Sequence, residues 1–245
     1  MSSKKPKKGY KLVKWNFGKE IEIPENWKED KLRYGLEFLT DYEANGSFEK
    51  LRINVKVDEG EKYAWYVRGT DLENNRYGIV SGNRYCNKKT YDWLKKTRLH
   101  GGELLITKRG EIGKVYFMPE TKIRTTLGPN LYLILLNEKL IPKFAYYWFK
   151  SVLGNKEITR INDSSVQGAV YKEPIKNCLV LYPPSPEQRK IVAILSNLDD
   201  YINKNKEIVG MMRKNATKIE KNKDLESLKK GLMEKLVTGQ IRIKG

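Results

Sequence analysis

Histidine is almost missing from this sequence: His100 is the only one in 245 residues. Histidine triads, HExxH zinc sites and metal clusters built on several imidazoles are thereby excluded. Cysteine is nearly as scarce. Cys86 and Cys178 lie far apart, which argues against a disulfide framework or a thiolate zinc cluster and suits a reducing, cytoplasmic setting. The longest apolar run, "LYLILL" at Leu131–Leu136, is far too short to span a bilayer, and no signal-peptide core is present, so no membrane role is expected. A phosphate-binding loop is lacking as well, because "GEIGKV" has neither the spacing nor the Ser/Thr. Acidic residues are in deficit. A metal-dependent nuclease would need converging carboxylates and a lysine, and the candidate set, Asp92 with Glu120 and Lys122, is one that chance readily supplies in so charged a chain. Proline, finally, vanishes after Pro186.

What is abundant is positive charge. Lys and Arg outnumber Asp and Glu by 48 to 30, giving +18 and a pI near 9.6, a bias expected of a polyanion binder, with nucleic acid the leading partner. Residues 1–11, "MSSKKPKKGYK", read as a basic, flexible tail. From there to about residue 185 the pattern is mixed. "LRINVKV" (Leu51–Val57) alternates as a half-buried strand does, and "KYAWYVRG" resembles another. "GGELLITKRGEIGKVYFM" predicts two strands, Leu104–Thr107 and Lys114–Met118, around a turn whose glycines permit positive φ. "NLYLILLN" and "KNCLVLYPP" predict buried strands, the latter stopped by prolines that cannot extend a ladder. "KFAYYWFKSVL" (Lys143–Leu153) predicts a helix with Phe144, Tyr147, Trp148 and Val152 on one face.

After Pro186 the period changes. Steps of four and three run through Ile191, Leu195, Leu198, Ile202, Asn205, Val209, Met212, Ala216 and Ile219, all apolar except Asn205. A period of 3.5 predicts a coiled-coil seam. Ser185 and Pro186 supply a helix start, with Glu187 at the positive end of the dipole. A continuous helix from Pro186 to about Asn222 would be roughly 55 Å long and would need a partner helix to cover its stripe. A second apolar set at Leu225, Leu228, Leu232 and Leu236 is out of phase, so a bend is expected near "EKNKDLE"; "LVTGQIRI" predicts a helix end at Gly239 and a last short strand. The fold class is therefore α+β: a mixed, mostly-β domain over residues 1–185 followed by a long C-terminal coiled-coil helix over residues 186–245.

These stretches resemble the specificity subunit of type I restriction-modification systems. "PPSPEQRKIVAILSNLD" is similar to the family's entry into its conserved spacer helix and "LKKGLMEKLVTGQIRI" to the exit. "IPENW" resembles the opening of a target recognition domain, and "GGELLITKRGEIGKV" and "NDSSVQGAVYKEPIKNCLVLYPP" resemble segments within it. The resemblance implies a noncatalytic subunit without a cofactor of its own that recognises double-stranded DNA. Modification subunits carrying S-adenosylmethionine would then methylate adenine, and a restriction subunit, where present, would cleave. The usual member carries two recognition domains and two spacer helices, whereas one of each is visible here. A homodimer through antiparallel spacer helices would restore the two-headed layout and read a symmetric bipartite site. A free-standing dimeric DNA-binding regulator remains the alternative reading.

Phosphate contacts give affinity and base edges give specificity. Lys88 and Lys89, with Lys95, Lys96 and Arg98, are placed to track a backbone. Thr107, Lys108, Arg109 and Lys114 are predicted on a hairpin tip, where Arg109 can fork onto guanine O6 and N7. Arg160, Asn162, Ser164, Ser165 and Gln167 are predicted on a polar loop, Gln167 suiting adenine, and Asn83, Arg84 and Tyr85 have similar credentials.

Overall fold

The computed structural model describes residues 5–15, 20–110, 112–163, 171–211 and 216–243. Strands β1 (Tyr10–Lys14), β2 (Glu20–Pro24), β3 (Lys28–Lys31) and β4 (Leu36–Asp41) come first. Helix α1 (Phe48–Asn54), strand β5 (Ala64–Val67), helix α2 (Gly69–Glu73), strand β6 (Arg84–Cys86) and helix α3 (Lys88–Trp93) follow. A run of strands comes next: β7 (Arg98–Leu99), β8 (Leu104–Thr107), β9 (Val115–Phe117), β10 (Thr125–Leu127) and β11 (Leu131–Leu136). The rest is mostly helical: α4 (Pro142–Lys150), α5 (Val152–Asp163), α6 (Lys172–Lys176), strand β12 (Leu179–Tyr182), α7 (Ser185–Met211) and α8 (Ala216–Val237). The class is α+β, as the sequence pattern predicts.

Two compact units form, and neither is continuous in sequence. One gathers Met1–Lys31, Glu138–Asn155 and Leu179–Gly245; the other holds Leu32–Asn137 and Lys156–Cys178. The division expected at 185/186 does not coincide with these boundaries, because segments far apart in sequence complete the same core.

The second unit, called the β unit below, contains two four-stranded sheets, ordered β6-β5-β10-β7 and β4-β11-β8-β9. β10 runs parallel to β5 with Thr126 opposite Tyr66, while β8 lies antiparallel to both β11 and β9. Trp65, Val67, Leu105, Leu127, Leu131 and Leu133 form its main core. Fully burying side chains of this size stabilises by about 1.5–3 kcal/mol each. The alternation at 51–57 misleads: residues 48–54 are helix α1, capped where the Ser47 hydroxyl accepts from the Lys50 amide at 3.4 Å, and only Leu51 is buried. Local capping overrides the period-two pattern, of which only Val57 forms a β-bridge, antiparallel to Cys86 of β6.

The first unit, the helical unit, pairs β1 with β2 and β12 with β3, both antiparallel. Tyr10 and Lys11 belong to β1, so the expected flexible tail is shorter than residues 1–11, and Met1–Lys4 lie outside the described residues. The predicted helix at 143–153 is broken at Ser151, whose hydroxyl donates to the Trp148 carbonyl at 2.6 Å. Phe144, Tyr147 and Trp148 are buried as expected, but Val152 starts the next helix and is 51% exposed.

The single rod expected after Pro186 is instead two helices. α7 packs on α8 and α4 packs on both. Lys206 pairs with Glu226 at 2.5 Å and Lys229 with Asp199, so α7 and α8 run antiparallel, with residues 212–215 between them outside the described residues. Seam residues Ile191, Leu195 and Ile202 are buried inside this unit rather than awaiting a second copy. Leu198 is half-buried, and Asn205 is half-exposed with its side chain donating to the Tyr201 carbonyl at 2.9 Å. The chain reverses between Met211 and Ala216, within the first apolar set, whereas Glu220–Glu226, where a bend is expected, lies inside the continuous helix α8. Val209, Ala216 and Ile219 lie in these helices with side chains outside the description, and Met212 lies outside it altogether. After Gly239 no strand follows among the described residues.

Candidate nucleic-acid interface

The hairpin at 104–117 places its residues by strand alternation. Thr107 ends β8 facing inward, its hydroxyl accepting from the Lys114 amide at 2.9 Å, while Gly110 and Gly113, at φ +79° and +82°, let the chain turn. A side chain at Gly113 would collide with Ile158. Arg109 is exposed at the tip and, among the described residues, pairs with no carboxylate.

Lys108 is a different case. It is 4% exposed, with its ammonium 3.2 Å from Asp41 and 3.0 Å from Glu43, and it sits 5.5 Å from the Tyr132 ring centroid. Lys172 approaches the other Asp41 oxygen at 3.4 Å. Lys108 is therefore a structural ion-pair residue and not a tip contact, because alternation turns it away from its neighbours. Burial, reinforced by Asp41 and Glu43, pushes the Tyr132 phenol up to about 12.

Asn83 is likewise structural: buried, it donates to the carbonyls of Arg76 at 2.8 Å and Gly78 at 2.9 Å. Arg84 bonds Asp58, whose carboxylate also accepts from the Tyr85 amide at 3.1 Å, and the Tyr85 hydroxyl donates to the Asp58 carbonyl. Partial burial pushes the Asp58 carboxyl up, but the Arg84 hydrogen bond, the Tyr85 amide and the Arg84 charge outweigh it and hold the group below its ordinary value. Lys88 pairs with Asp92 at 2.5 Å, which also holds Arg98 at 3.1 Å; Lys89 is exposed beside them. Asp92 is thus held between two cations, and no group of three or more His, Cys, Asp or Glu that could hold a metal ion occurs among the described residues. Arg160 is not on a loop but on α5, 3.2 Å from the buried Glu157 carboxylate. Asn162 also lies in α5 with its side chain outside the description, while Ser164, Ser165 and Gln167 are outside the described residues.

Four cations converge in the β unit. Arg68, Arg84, Arg109 and Lys114 line one cavity of about 550 Å³; Glu73 on the same lining pairs with Lys114, while Arg68 and Arg84 pair with Asp71 and Asp58. The cavity opens beyond the C-terminal ends of β5 and β10, where Gly128 follows β10 and its amide donates to the Val67 carbonyl at 2.8 Å. Tyr66 and Leu131 are buried parts of its lining; Thr70 and Asn130 are exposed ones. Arg68 is the residue the sequence pattern does not single out. Its guanidinium grips fully buried Asp71, with Nη2 to Oδ1 at 2.6 Å, and also donates to the Gly82 carbonyl at 2.6 Å. Arg76 approaches the same Asp71 oxygen at 3.6 Å, and the Trp65 indole donates to Oδ2 at 3.4 Å. A buried carboxylate with this many donors fixes Arg68 at the cavity edge before any ligand arrives. The only prior signal was an Arg-x-x-Asp spacing at the end of a strand.

The family described as "Type I restriction modification DNA specificity domain" matches residues 24–209. The chain belongs to that family. Among similar proteins, the type I restriction enzyme MjaIX specificity subunit of Methanocaldococcus jannaschii is 26% identical over 218 residues, 86% of this chain and 48% of that protein. The putative MjaX specificity subunit of the same organism is 28% identical over 163 residues, covering 66% of this chain and 34% of that one. This specificity domain thus spans less than half the length of both relatives. A solved structure described as the basis of complex assembly and conformational transition of the type I R-M system matches its fold, with a TM-score of 0.52 and 15% identity over 89% of this chain and 47% of the other.

Three stretches of the specificity domain that lie far apart in sequence meet in the helical unit. From "PPSPEQRK", Gln188 is fully buried, accepting from the Ile141 amide at 2.8 Å and donating to the carbonyls of Lys139 and Pro183 at 2.8 and 2.9 Å. Glu187 binds Arg242 of "TGQIRI" at 3.1 Å, closing the open end of the helix pair. Gly239 of the same stretch abuts Pro24 and Trp27 of "IPENW", and its carbonyl accepts from the Tyr10 hydroxyl at 3.1 Å.

Proposed function

We propose that this chain is the noncatalytic DNA-recognition component of a type I restriction-modification complex. On this reading it binds double-stranded DNA through the β unit and directs adenine methylation by modification subunits, and cleavage where a restriction subunit joins. The observation that carries the proposal is the convergence of Arg68, Arg84, Arg109 and Lys114 on one concave face, in a family of DNA specificity domains. Four cations on one face suit phosphate affinity, even with Arg68, Arg84 and Lys114 each sharing a carboxylate, and the fork of Arg109, which pairs with no carboxylate among the described residues, suits a guanine edge. Lys88, Lys89 and Lys96 are further exposed cations of the β unit.

A second recognition unit is required for a bipartite site, and we assign it to a second copy. The dimer contact falls on the outward side of α7 and α8, where Ile194, Tyr201 and Leu228 are exposed beside half-buried Leu198. The buried seam residues Ile191, Leu195 and Ile202 support that surface from beneath. Residues 186–245 would then set the distance between the two heads, and the complex would work in the cytoplasm. No helix among the described residues is long and apolar enough to cross a membrane.

The test is selection from a pool of random duplexes by the purified chain, followed by co-expression with the partner modification subunit. Enrichment of one sequence, methylated only when both proteins are present, is the expected result. Sequence enrichment by a chain that co-purifies with no methyltransferase would favour the free-standing regulator.

A further inference from the structure

We propose that the cavity of the β unit takes one nucleotide, its base against the apolar wall and its phosphate on the surrounding cations. The inference rests on the DNA-binding reading but goes beyond it, since a surface that only tracks a backbone needs no concave recess of this size. At about 550 Å³ the cavity lies within the roughly 300–1,000 Å³ range of small-molecule sites. Its buried lining is apolar and aromatic, with Tyr66, Leu131 and half-buried Tyr116, whereas Arg84 and Arg109 are exposed. That division matches the chemistry of a nucleotide: a flat π-surface on one side and an anion on the other. Base–aromatic contact favours binding of any base, because every base has a π-face.

Two further features favour a nucleotide over a bare anion. The Glu73 carboxylate on the same lining, paired with Lys114, has acceptor capacity left for an exocyclic amine, and the Thr70 hydroxyl and Asn130 amide can meet mixed donor and acceptor edges. Arg68 is held in place by Asp71, so its direction is set without a ligand. The nucleotide can be free, or it can be one turned out of a duplex, most easily where the base is already unpaired.

The experiment pairs saturation-transfer NMR with fluorescence anisotropy. The NMR probes are dAMP, dGMP, dCMP, dTMP and inorganic phosphate. The anisotropy probes are one labelled duplex fully paired and the same duplex with a single bulged base. Thr70→Trp and Asn130→Trp, both at exposed positions, fill the cavity without removing a cation. Saturation transfer to base protons of a mononucleotide, lost in both variants, is the expected result. A bulged duplex bound at least tenfold tighter than the paired one, with the difference erased by both variants, assigns the site to DNA. Mononucleotide binding with no bulge preference assigns it to free nucleotide. No transfer to base protons, together with a bulge preference unchanged by both variants or absent, overturns the proposal. Failure to bind any duplex is a separate outcome that sinks the DNA-recognition function instead.

Discussion

Lys108 and Arg109 are adjacent, both basic and both on a predicted tip, yet they do unlike things. Lys108→Ala would leave Asp41 and Glu43 facing one another with only Lys172 nearby, so it should cost about 3 kcal/mol of stability in denaturant unfolding while the preferred DNA sequence is unchanged. Arg109→Ala should leave stability alone and relax preference at one base position at a cost of about 1–3 kcal/mol in binding. Loss of affinity with an unaltered sequence would make Arg109 a phosphate contact. Tyr132 gives a pH dependence. Its phenol is raised from 10.0 to about 12 when folded, so the unfolded chain releases that proton first and stability falls as pH rises from 10 toward 12. Tyr132→Phe should flatten that fall in unfolding curves recorded across this range. Burial also pushes both thiols, Cys86 and Cys178, up to about 12. Both should resist Ellman's reagent in the native protein at pH 8 and react at once on unfolding. The basic composition was legible at this scale, but which cations are spoken for was not. Asp58, Asp71 and Asp41 each capture a base from a distant or unremarkable position, and only packing reveals that.

The elements were read well where strand signals were strong. β8 was expected at Leu104–Thr107 and lies there, and β11 fills the apolar run at 131–136. Reading failed where a local hydrogen bond decides: Ser47 turns an alternating stretch into helix α1, and Ser151 divides α4 from α5. The helix pair shows a different limit. A stripe with period 3.5 demands a partner but does not name one, and here α8 and α4 of the same chain supply it for Ile191, Leu195 and Ile202. The family's entry stretch is explained by Gln188. Gln188→Ala should strand two carbonyls and an amide in the interior, costing about 1–3 kcal/mol per unpaired group in thermal or denaturant unfolding. A change under 0.5 kcal/mol would show that this glutamine does not clamp α7. Leu198→Asp, at the half-buried outward position, should convert the proposed dimer to monomer in light scattering with the fold retained, whereas Leu195→Asp should unfold the helical unit.

At the scale of the whole molecule a net charge of +18 accompanies a concave basic site in the β unit. DNA affinity should fall steeply with salt, the logarithm of the binding constant dropping linearly with the logarithm of salt concentration by about 0.9 per phosphate neutralised. Arg84→Ala should lower that slope by about one phosphate, read from anisotropy at several salt concentrations. The most direct test of DNA recognition is a methylome map of cells expressing this chain with its modification partner, compared with cells expressing the partner alone. Adenine methylation confined to one symmetric two-part sequence, and absent without the chain, is the predicted result. The same methylated sites with the chain left out would contradict it.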